Sequence, residues 1–275
     1  MKEYILPILI FLGFGALSGI LLLIASKVLA VKTDETEAKI TEALPGANCG
    51  GCGYSGCAGY AAAVAHDGAP TNLCKPGGAD VMKKINAIMG TEGGEFIREV
   101  AYVRCNGCEK ATKDRFTFTG TKSCAAVEKF YNGKGECRFG CDGYGDCAAV
   151  CGNDAITITD GVAVVDPAKC GGCGKCVTVC PNHLIFLRKE TSTVALRCSS
   201  KDSGKVTRTV CTNGCIGCKI CEKKCPHGAV IVADNHAVID YDKCTSCGTC
   251  VSACPRKCLV NITCTHSEKT EQADN

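Results

Sequence analysis

Hydrophobic and polar positions follow three different rhythms along the chain. From Tyr4 to Ser26 the run YILPILIFLGFGALSGILLLIAS carries no charge. As a helix it would rise about 34 Å, enough to cross a ~30 Å hydrocarbon core. Pro7 falls in the first turns, where a missing N–H costs little. Gly15 and Gly19 form a G-x-x-x-G pair that would let another membrane helix approach closely. A polar, acidic stretch from Asp34 to Glu42 then predicts a surface helix, and the small residues Ala58 to Ala65 predict a short second one. The third rhythm is short and alternating. AITITDGVAVVDPAKCGGCGKCVTVCP begins at Ala155, and AVIVADNHAVIDYDKCTSCGTCVSACP begins at Ala229; the two align without a gap. Each copy has two β-branched runs joined by Asp160-Gly161 or Asp234-Asn235, the punctuation of a tight hairpin. Repetition on this scale means two copies of one supersecondary unit.

The apolar run could also be a cleaved signal peptide, with Val28-Leu29-Ala30 as its cleavage site. It exceeds the usual apolar region of about 7–15 residues, and Met1-Lys2-Glu3 is not a net-positive start. Lys27 and Lys32 after the run favour a cytoplasmic C-terminal side. The expectation is a single-pass anchor in the cell (inner) membrane with the rest of the chain cytoplasmic.

Composition narrows the nature of the domains beyond the anchor. The chain has 27 cysteines in 275 residues, no Trp and few aromatics. Such a chain cannot bury a large aliphatic core, so cross-links or metal must supplement it. A net charge of +3, with no basic block carrying interleaved aromatics, excludes the electrostatic footprint of a nucleic-acid binder.

Cysteine spacing identifies the chemistry. Cys215-x2-Cys218-x2-Cys221-x3-Cys225-Pro226 precedes the second hairpin, and Cys244-x2-Cys247-x2-Cys250-x3-Cys254-Pro255 comes after it. This is the bacterial two-cluster ferredoxin pattern, in which the fourth cysteine of each run ligates the other cluster. Cys215, Cys218, Cys221 and Cys254 are therefore expected on one [4Fe–4S] cluster, and Cys244, Cys247, Cys250 and Cys225 on another. In the earlier unit Cys170, Cys173, Cys176 and Cys180-Pro181 are regular. Upstream, Cys137-x3-Cys141-x5-Cys147-x3-Cys151 departs from the pattern: Tyr144 stands where the later unit has Cys218, and Gly152 replaces the proline. With Cys137 supplying the missing thiolate, the expected sets are Cys137, Cys141, Cys147 and Cys180, and Cys170, Cys173, Cys176 and Cys151. Structural zinc uses paired C-x2-C units, which three cysteines at i, i+3, i+6 followed by C-P overfill.

Nearer the membrane, LPGANCGGCGYSGC and a distant LCKPGG place Cys49, Cys52, Cys57 and Cys74 in one compact segment. Glycines between them let the backbone wrap a ligand closely. The set fits a fifth [4Fe–4S] cluster; its spacing also permits zinc.

Together with the apolar N-terminus, LPGANCGGCGYSGC, LCKPGG, RCNGC, CRFGCDGYGDCAAVCGNDAI, RCSSKDSGKV and GCIGCKICEKKCP resemble the B subunit of the Rnf complex over nearly the whole chain up to Cys264. The resemblance implies a subunit of an ion-translocating ferredoxin:NAD⁺ oxidoreductase. It would take electrons from soluble ferredoxin and pass them to other membrane and soluble subunits. No dinucleotide-binding strand–GxGxxG–helix fingerprint is present, in keeping with electron transfer alone for this chain. Rival readings are a polyferredoxin subunit of another membrane redox complex, a zinc-stabilised tethered scaffold, and a secreted disulfide protein.

The expected fold class is α+β. Residues 1–30 form a transmembrane anchor, 31–90 a small [4Fe–4S] domain and 91–132 a connecting region. Residues 133–190 and 191–264 form two tandem 2[4Fe–4S] ferredoxin-like units, and 265–275 a disordered tail. Cys105, Cys108, Cys124, Cys198, Cys211, Cys258 and Cys264 remain over; Cys105-x2-Cys108 with Cys124 could begin another metal site but lacks a fourth ligand, and the favoured reading makes all seven buried small hydrophobes or free thiols. His183 and His227 read as turn residues. Lys219, Lys223, Lys224, Arg256 and Lys257 are candidates for docking an acidic ferredoxin, or else a solvated face.

Overall fold

A computed structural model of the chain describes residues 12–24, 34–92 and 94–262. Residues 12–24 are helical (α1), and their large apolar side chains are exposed, Phe14 and Leu22 among them. Among the described residues no helix is long and apolar enough to cross a membrane. The rest of the expected Tyr4–Ser26 span, and Cys264 with the tail, lie outside the described residues.

Three helices make the N-terminal domain: α2 (Glu35–Ala43), α3 (Cys57–His66) and α4 (Gly78–Met89). Asp34 caps α2 by accepting the Thr36 N–H at 3.0 Å, which satisfies one orphan donor of the first turn. Ile40, Tyr60, Val64 and Ile85 fill the centre of this domain. The Tyr60 hydroxyl donates to the Pro70 carbonyl at 2.7 Å and so ties the loop that carries Cys74.

The remainder is built from four two-stranded antiparallel sheets. In the first unit β2 (Ile156–Thr159) pairs with β3 (Val162–Val165), and β1 (Glu99–Val103) pairs with β4 (Ile185–Lys189). In the second, β6 (Val230–Ala233) pairs with β7 (His236–Ile239), and β5 (Val194–Leu196) with β8 (Leu259–Asn261). The hairpin turns are those the sequence predicts: Asp160 and Gly161 have φ of 49° and 77°, Asp234 and Asn235 46° and 63°. Positive φ at both central residues matches the twist of the flanking strands. Equivalent glycines seat each hairpin. A Cβ on Gly143 would lie 2.4 Å from the Gly161 carbonyl, and one on Gly217 2.8 Å from that of Asn235.

Short helices follow the cysteine runs: α6 (Asp146–Ala149), α7 (Lys175–Val179), α9 (Ile220–Lys224) and α10 (Thr249–Ala253). Two others, α5 (Cys124–Tyr131) and α8 (Gly204–Val210), lie outside the repeat's core. Strand β1 comes from the region expected to be only a connection, and it completes the first unit's second sheet.

Sulfur occupies much of both unit interiors. The buried side chains of the first unit include Cys105, Cys147, Cys170 and Cys176 beside Val100, Leu184 and Ile185. Those of the second include Cys198, Cys215, Cys221 and Cys250 beside Leu196 and Leu259. Aliphatic packing this sparse leaves the fold dependent on what the thiols bind. Stripping iron from the anaerobic protein is expected to abolish most of its far-ultraviolet circular dichroism, with the N-terminal helices the last to go. Retention of the strand signal in iron-free protein would show an independent core.

Candidate iron–sulfur sites

All the described cysteines are free thiols, which removes the disulfide reading for them. Most gather around cavities. Cys49, Cys52, Cys57 and Cys74 ring one of about 310 Å³ between Leu44, Tyr60 and Pro76. Cys151, Cys170, Cys173 and Cys176 ring one of about 400 Å³ in the first unit. Cys215, Cys218, Cys221 and Cys254 ring one of about 330 Å³ in the second. Cys225, Cys244 and Cys247 surround Cys250 closely enough to repel its thiolate. In each ferredoxin-type set the C-x2-C-x2-C loop leads into a short helix (α7, α9 or α10). The fourth cysteine, Cys180, Cys225 or Cys254, caps that helix in extended conformation and so turns towards the other side of the hairpin.

The remaining set differs from the expectation at one residue. A cavity of about 380 Å³ is ringed by Cys141, Cys147, Cys180 and Cys124; Cys137 lines a neighbouring cavity instead. The reason is local. Tyr144 leaves the loop one thiol short, and α5 delivers Cys124 to the gap. Asp146 holds it there: one carboxylate oxygen accepts the Cys124 N–H at 3.0 Å, and the other accepts the Ala125 N–H at 3.0 Å and the Ser123 hydroxyl at 2.9 Å. One carboxylate thus fixes the start of α5 to the start of α6, which carries Cys147. Cys124 has no spacing partner in the sequence, because it lies well upstream of the Cys141 loop.

The electrostatics suit metal thiolates. Burial pushes the Cys141, Cys147 and Cys176 thiols up to about 12 and Cys221 up to about 11, with neighbouring thiols adding to the effect. Buried thiols of this kind stay protonated until a metal displaces the proton. Backbone amides then offer charge-stabilising hydrogen bonds: Ala101 N–H to Cys170 at 3.3 Å, Ala155 to Cys151 at 3.4 Å, Leu184 to Cys180 at 3.4 Å and Ala229 to Cys225 at 3.3 Å. Among the described residues no three His, Cys, Asp or Glu side chains converge closely enough to share one metal ion. Tetrahedral zinc would draw its sulfurs to within roughly 4 Å of one another. Thiols spread around a cavity fit a polynuclear cluster, which would stand between them.

The sites adjoin. Gly51, between Cys49 and Cys52, lies so close to the first unit that a Cβ there would be 2.9 Å from the Cys173 carbonyl oxygen. Cys218 and Cys247, at the far end of the chain of sites, are exposed. Lys223, Lys224 and Lys257 are exposed near them, whereas Arg256 is occupied structurally, donating to the Cys211 and Gly214 carbonyls. His183 sits in a left-handed turn with φ of 49°. Cys258 is a fifth thiol lining the second unit's cavity: the repeat sets it at the position of Leu184, both are 1 % exposed, and its sulfur lies 3.5 Å from that of Cys254.

Comparison with known proteins agrees with this geometry. Residues 44–76 match a family described as "Putative Fe-S cluster", and residues 169–229 and 214–259 match two families described as "4Fe-4S dicluster domain". The chain is 42 % identical over 248 residues to the B subunit of the ion-translocating oxidoreductase complex of Methanosarcina acetivorans, covering 90 % of this chain and 94 % of that one. It is 42 % identical over 260 residues to the B subunit of the Na⁺-translocating ferredoxin:NAD⁺ oxidoreductase complex of Acetobacterium woodii, covering 94 % of this chain and 78 % of the relative. It is 34 % identical over 260 residues to the proton-translocating counterpart of Clostridium ljungdahlii, covering 93 % and 91 %.

Replacing Cys124 by Ser is expected to lower the iron content by about four per chain, or to leave a labile three-iron remnant, while Tyr144→Phe keeps the full count. Full iron in the Cys124→Ser protein would return the ligand role to Cys137.

Proposed function

Because the chain belongs to the family of ion-translocating oxidoreductase complex B subunits, we propose that it is the membrane-anchored iron–sulfur relay of such a complex, receiving electrons from reduced ferredoxin on their way to NAD⁺. The observation that carries this reading is the succession of adjoining sulfur-ringed cavities, which begins beside the N-terminal helices and ends at exposed thiols in the second unit.

Bound [4Fe–4S] clusters supply one-electron oxidation and reduction. We assign five of them to Cys49, Cys52, Cys57 and Cys74; to Cys151, Cys170, Cys173 and Cys176; to Cys124, Cys141, Cys147 and Cys180; to Cys215, Cys218, Cys221 and Cys254; and to Cys225, Cys244, Cys247 and Cys250. The protein's own part is to hold these thiolates, to aim amide N–H groups at them, and to keep neighbouring sites close. N–H···S bonds stabilise the extra negative charge of the reduced state and raise the potential. Exposed Cys218 and Cys247 with Lys223, Lys224 and Lys257 make the second unit the entry side for an acidic ferredoxin. The N-terminal domain, joined to the apolar segment, is the exit side at the bilayer. The exposed apolar side chains of α1 support insertion of that segment in the inner membrane, with the cluster-bearing domains cytoplasmic. Relatives named for sodium translocation and for proton translocation both match this chain, at 42 % and 34 % identity.

Two experiments test the reading. Reduction of the anaerobic protein by ferredoxin should slow as salt rises, and a Lys223→Glu/Lys224→Glu variant should be slower at low salt and less salt-sensitive. A salt-independent rate in both proteins rules out docking at this face. Gly51→Ala, which forces the Cys173 carbonyl away, should retain all iron yet delay reduction of the N-terminal site after mixing with ferredoxin. An unchanged delay would mean that electrons do not pass through this contact.

A further inference from the structure

We infer that Cys105, Cys137, Cys198 and Cys211 form a sixth [4Fe–4S] site, lying between the two ferredoxin-like units and joining them into one relay. These four thiols, with Cys141, line a cavity of about 680 Å³ including its open mouth. None of them is required by the five sites above once Cys124 takes its place beside Cys141.

Internal symmetry singles out the four. The alignment that sets Ala155 on Ala229 also sets Cys137 on Cys211 and Cys141 on Cys215. Cys105 and Cys198 are equivalent by backbone pairing. Each follows an arginine whose N–H donates at 2.7 Å across the sheet, Arg104 to Leu184 and Arg197 to Cys258, and these two acceptors are again partners in the repeat. Each unit therefore contributes two cysteines from matching positions. The stretch from Cys105 to Cys137 is much longer than that from Cys198 to Cys211, and the inserted part contains Cys124. The first unit used the extra length to repair one site without disturbing the other.

The local backbone repeats the signature of the cluster ligands. At each of the four thiols the amide two residues on makes a hydrogen bond to the sulfur: Gly107 at Cys105, Phe139 at Cys137, Ser200 at Cys198 and Asn213 at Cys211. The same relation links Cys141 with Gly143 and Cys215 with Gly217. Cys198 also accepts the Cys215 N–H at 3.2 Å. Arg104 and Arg197 line the cavity, and Nε of Arg104 is buried without a hydrogen-bond partner. Both arginines are half-buried, the Arg104 guanidinium lying 4.8 Å over the Phe186 ring, and the net negative charge of a four-thiolate cluster would complement them.

Position supplies the role. Cys141 borders both this cavity and the one ringed by Cys124, Cys147 and Cys180. On the other side Cys198 touches the amide of Cys215, itself a lining residue of the second unit's cavity. Hydrogen bonds from Thr212 N–H to the Ala111 carbonyl at 2.8 Å, from Thr112 to Val210 at 2.7 Å and from Asn213 to Asn106 at 2.9 Å lock the two units around it. One electron enters from the second unit as one leaves to the first. The site is reduced and reoxidised by a single charge, and no bond is made or broken.

The test is iron, sulfide and zinc analysis with Mössbauer spectroscopy on the anaerobically purified, ⁵⁷Fe-labelled full chain. Six sites predict about 24 irons and as many sulfides per chain, and about 20 in a Cys198→Ser/Cys211→Ser variant that loses about one-sixth of its Mössbauer area. A wild-type count near 20 that the variant shares overturns the proposal, as does one zinc per chain that disappears with these two thiols. If the variant fails to accumulate, the wild-type count decides alone. A wild-type count near 20 from which the variant still loses four irons supports this site and removes one of the other five.

Discussion

The constraint on which the rest of this structure depends is that four thiols must surround a space without closing it. A hydrophobic core is satisfied by any side chains of suitable volume that fill it. A cluster site is satisfied only when four sulfurs approach from fixed directions with amide donors behind them. That requirement explains the local architecture. Loops of C-x2-C-x2-C curl around one side, a one-turn helix carries the last thiol, and an extended cap sends the fourth cysteine through to the neighbouring site. The two-stranded sheets act as thin partitions between sites. Each is too small to be stable on its own, and each is flanked by sulfur where a larger domain would have aliphatic side chains.

The ferredoxin-like halves were legible because ligand spacing and hairpin chemistry are both local. Asp160-Gly161 and Asp234-Asn235 mark turns whose φ values they alone determine, and the C-P runs mark caps. The pairing of β1 with β4 was not legible. It sets Glu99 against Lys189 and Val103 against Ile185, far apart along the chain, and a short run of β-branched and aromatic character carries no record of its partner. Cys124 was missed for the same reason. Spacing rules describe thiols delivered by one continuous loop, whereas this thiol arrives on the first turn of a separate helix and is positioned by Asp146. A signal for the four junction cysteines did exist in the repeat, which maps Cys137 onto Cys211 as cleanly as Cys141 onto Cys215. Reading Cys137 as the substitute for the residue at Tyr144 concealed it, because a closed ligand count at one site removes the motive to look for another.

Substitution and repair in the first unit illustrate how such a protein tolerates change. Loss of a thiol at position 144 would leave three ligands and a reactive cluster edge. On the assignment proposed above, the insertion between Cys105 and Cys137 brings the fourth thiol from outside the loop, anchored by the half-buried Asp146 carboxylate. Burial alone would push the Asp146 carboxyl up; the amides of Ala125 and Cys124 and the Ser123 hydroxyl reverse this and hold it below the usual carboxylate range. The anchor is therefore charged wherever the cluster is stable, and it adds a fixed negative charge beside a site that must accept an electron. Tyr144, freed from ligation, packs against Phe118 of the insertion, with ring centroids 5.9 Å apart. Ligand and packing residue have exchanged roles across the insertion.

Duplication has a further consequence that neither unit has alone. A single ferredoxin-like unit with cysteines at the positions of Cys105 and Cys137 presents half a site, two thiols at a surface. When two such units meet, the half-sites line one shared cavity with all four thiols. The interface between repeats is thereby specified by ligands as well as by packing. It is tied by hydrogen bonds between the two units, Thr212 to Ala111, Thr112 to Val210 and Asn213 to Asn106, and Arg104 and Arg197 stand at matching positions beside it. A relay of adjoining sites requires that no gap separate the two halves, and the junction meets that requirement with the same thiols and amides that build the units themselves.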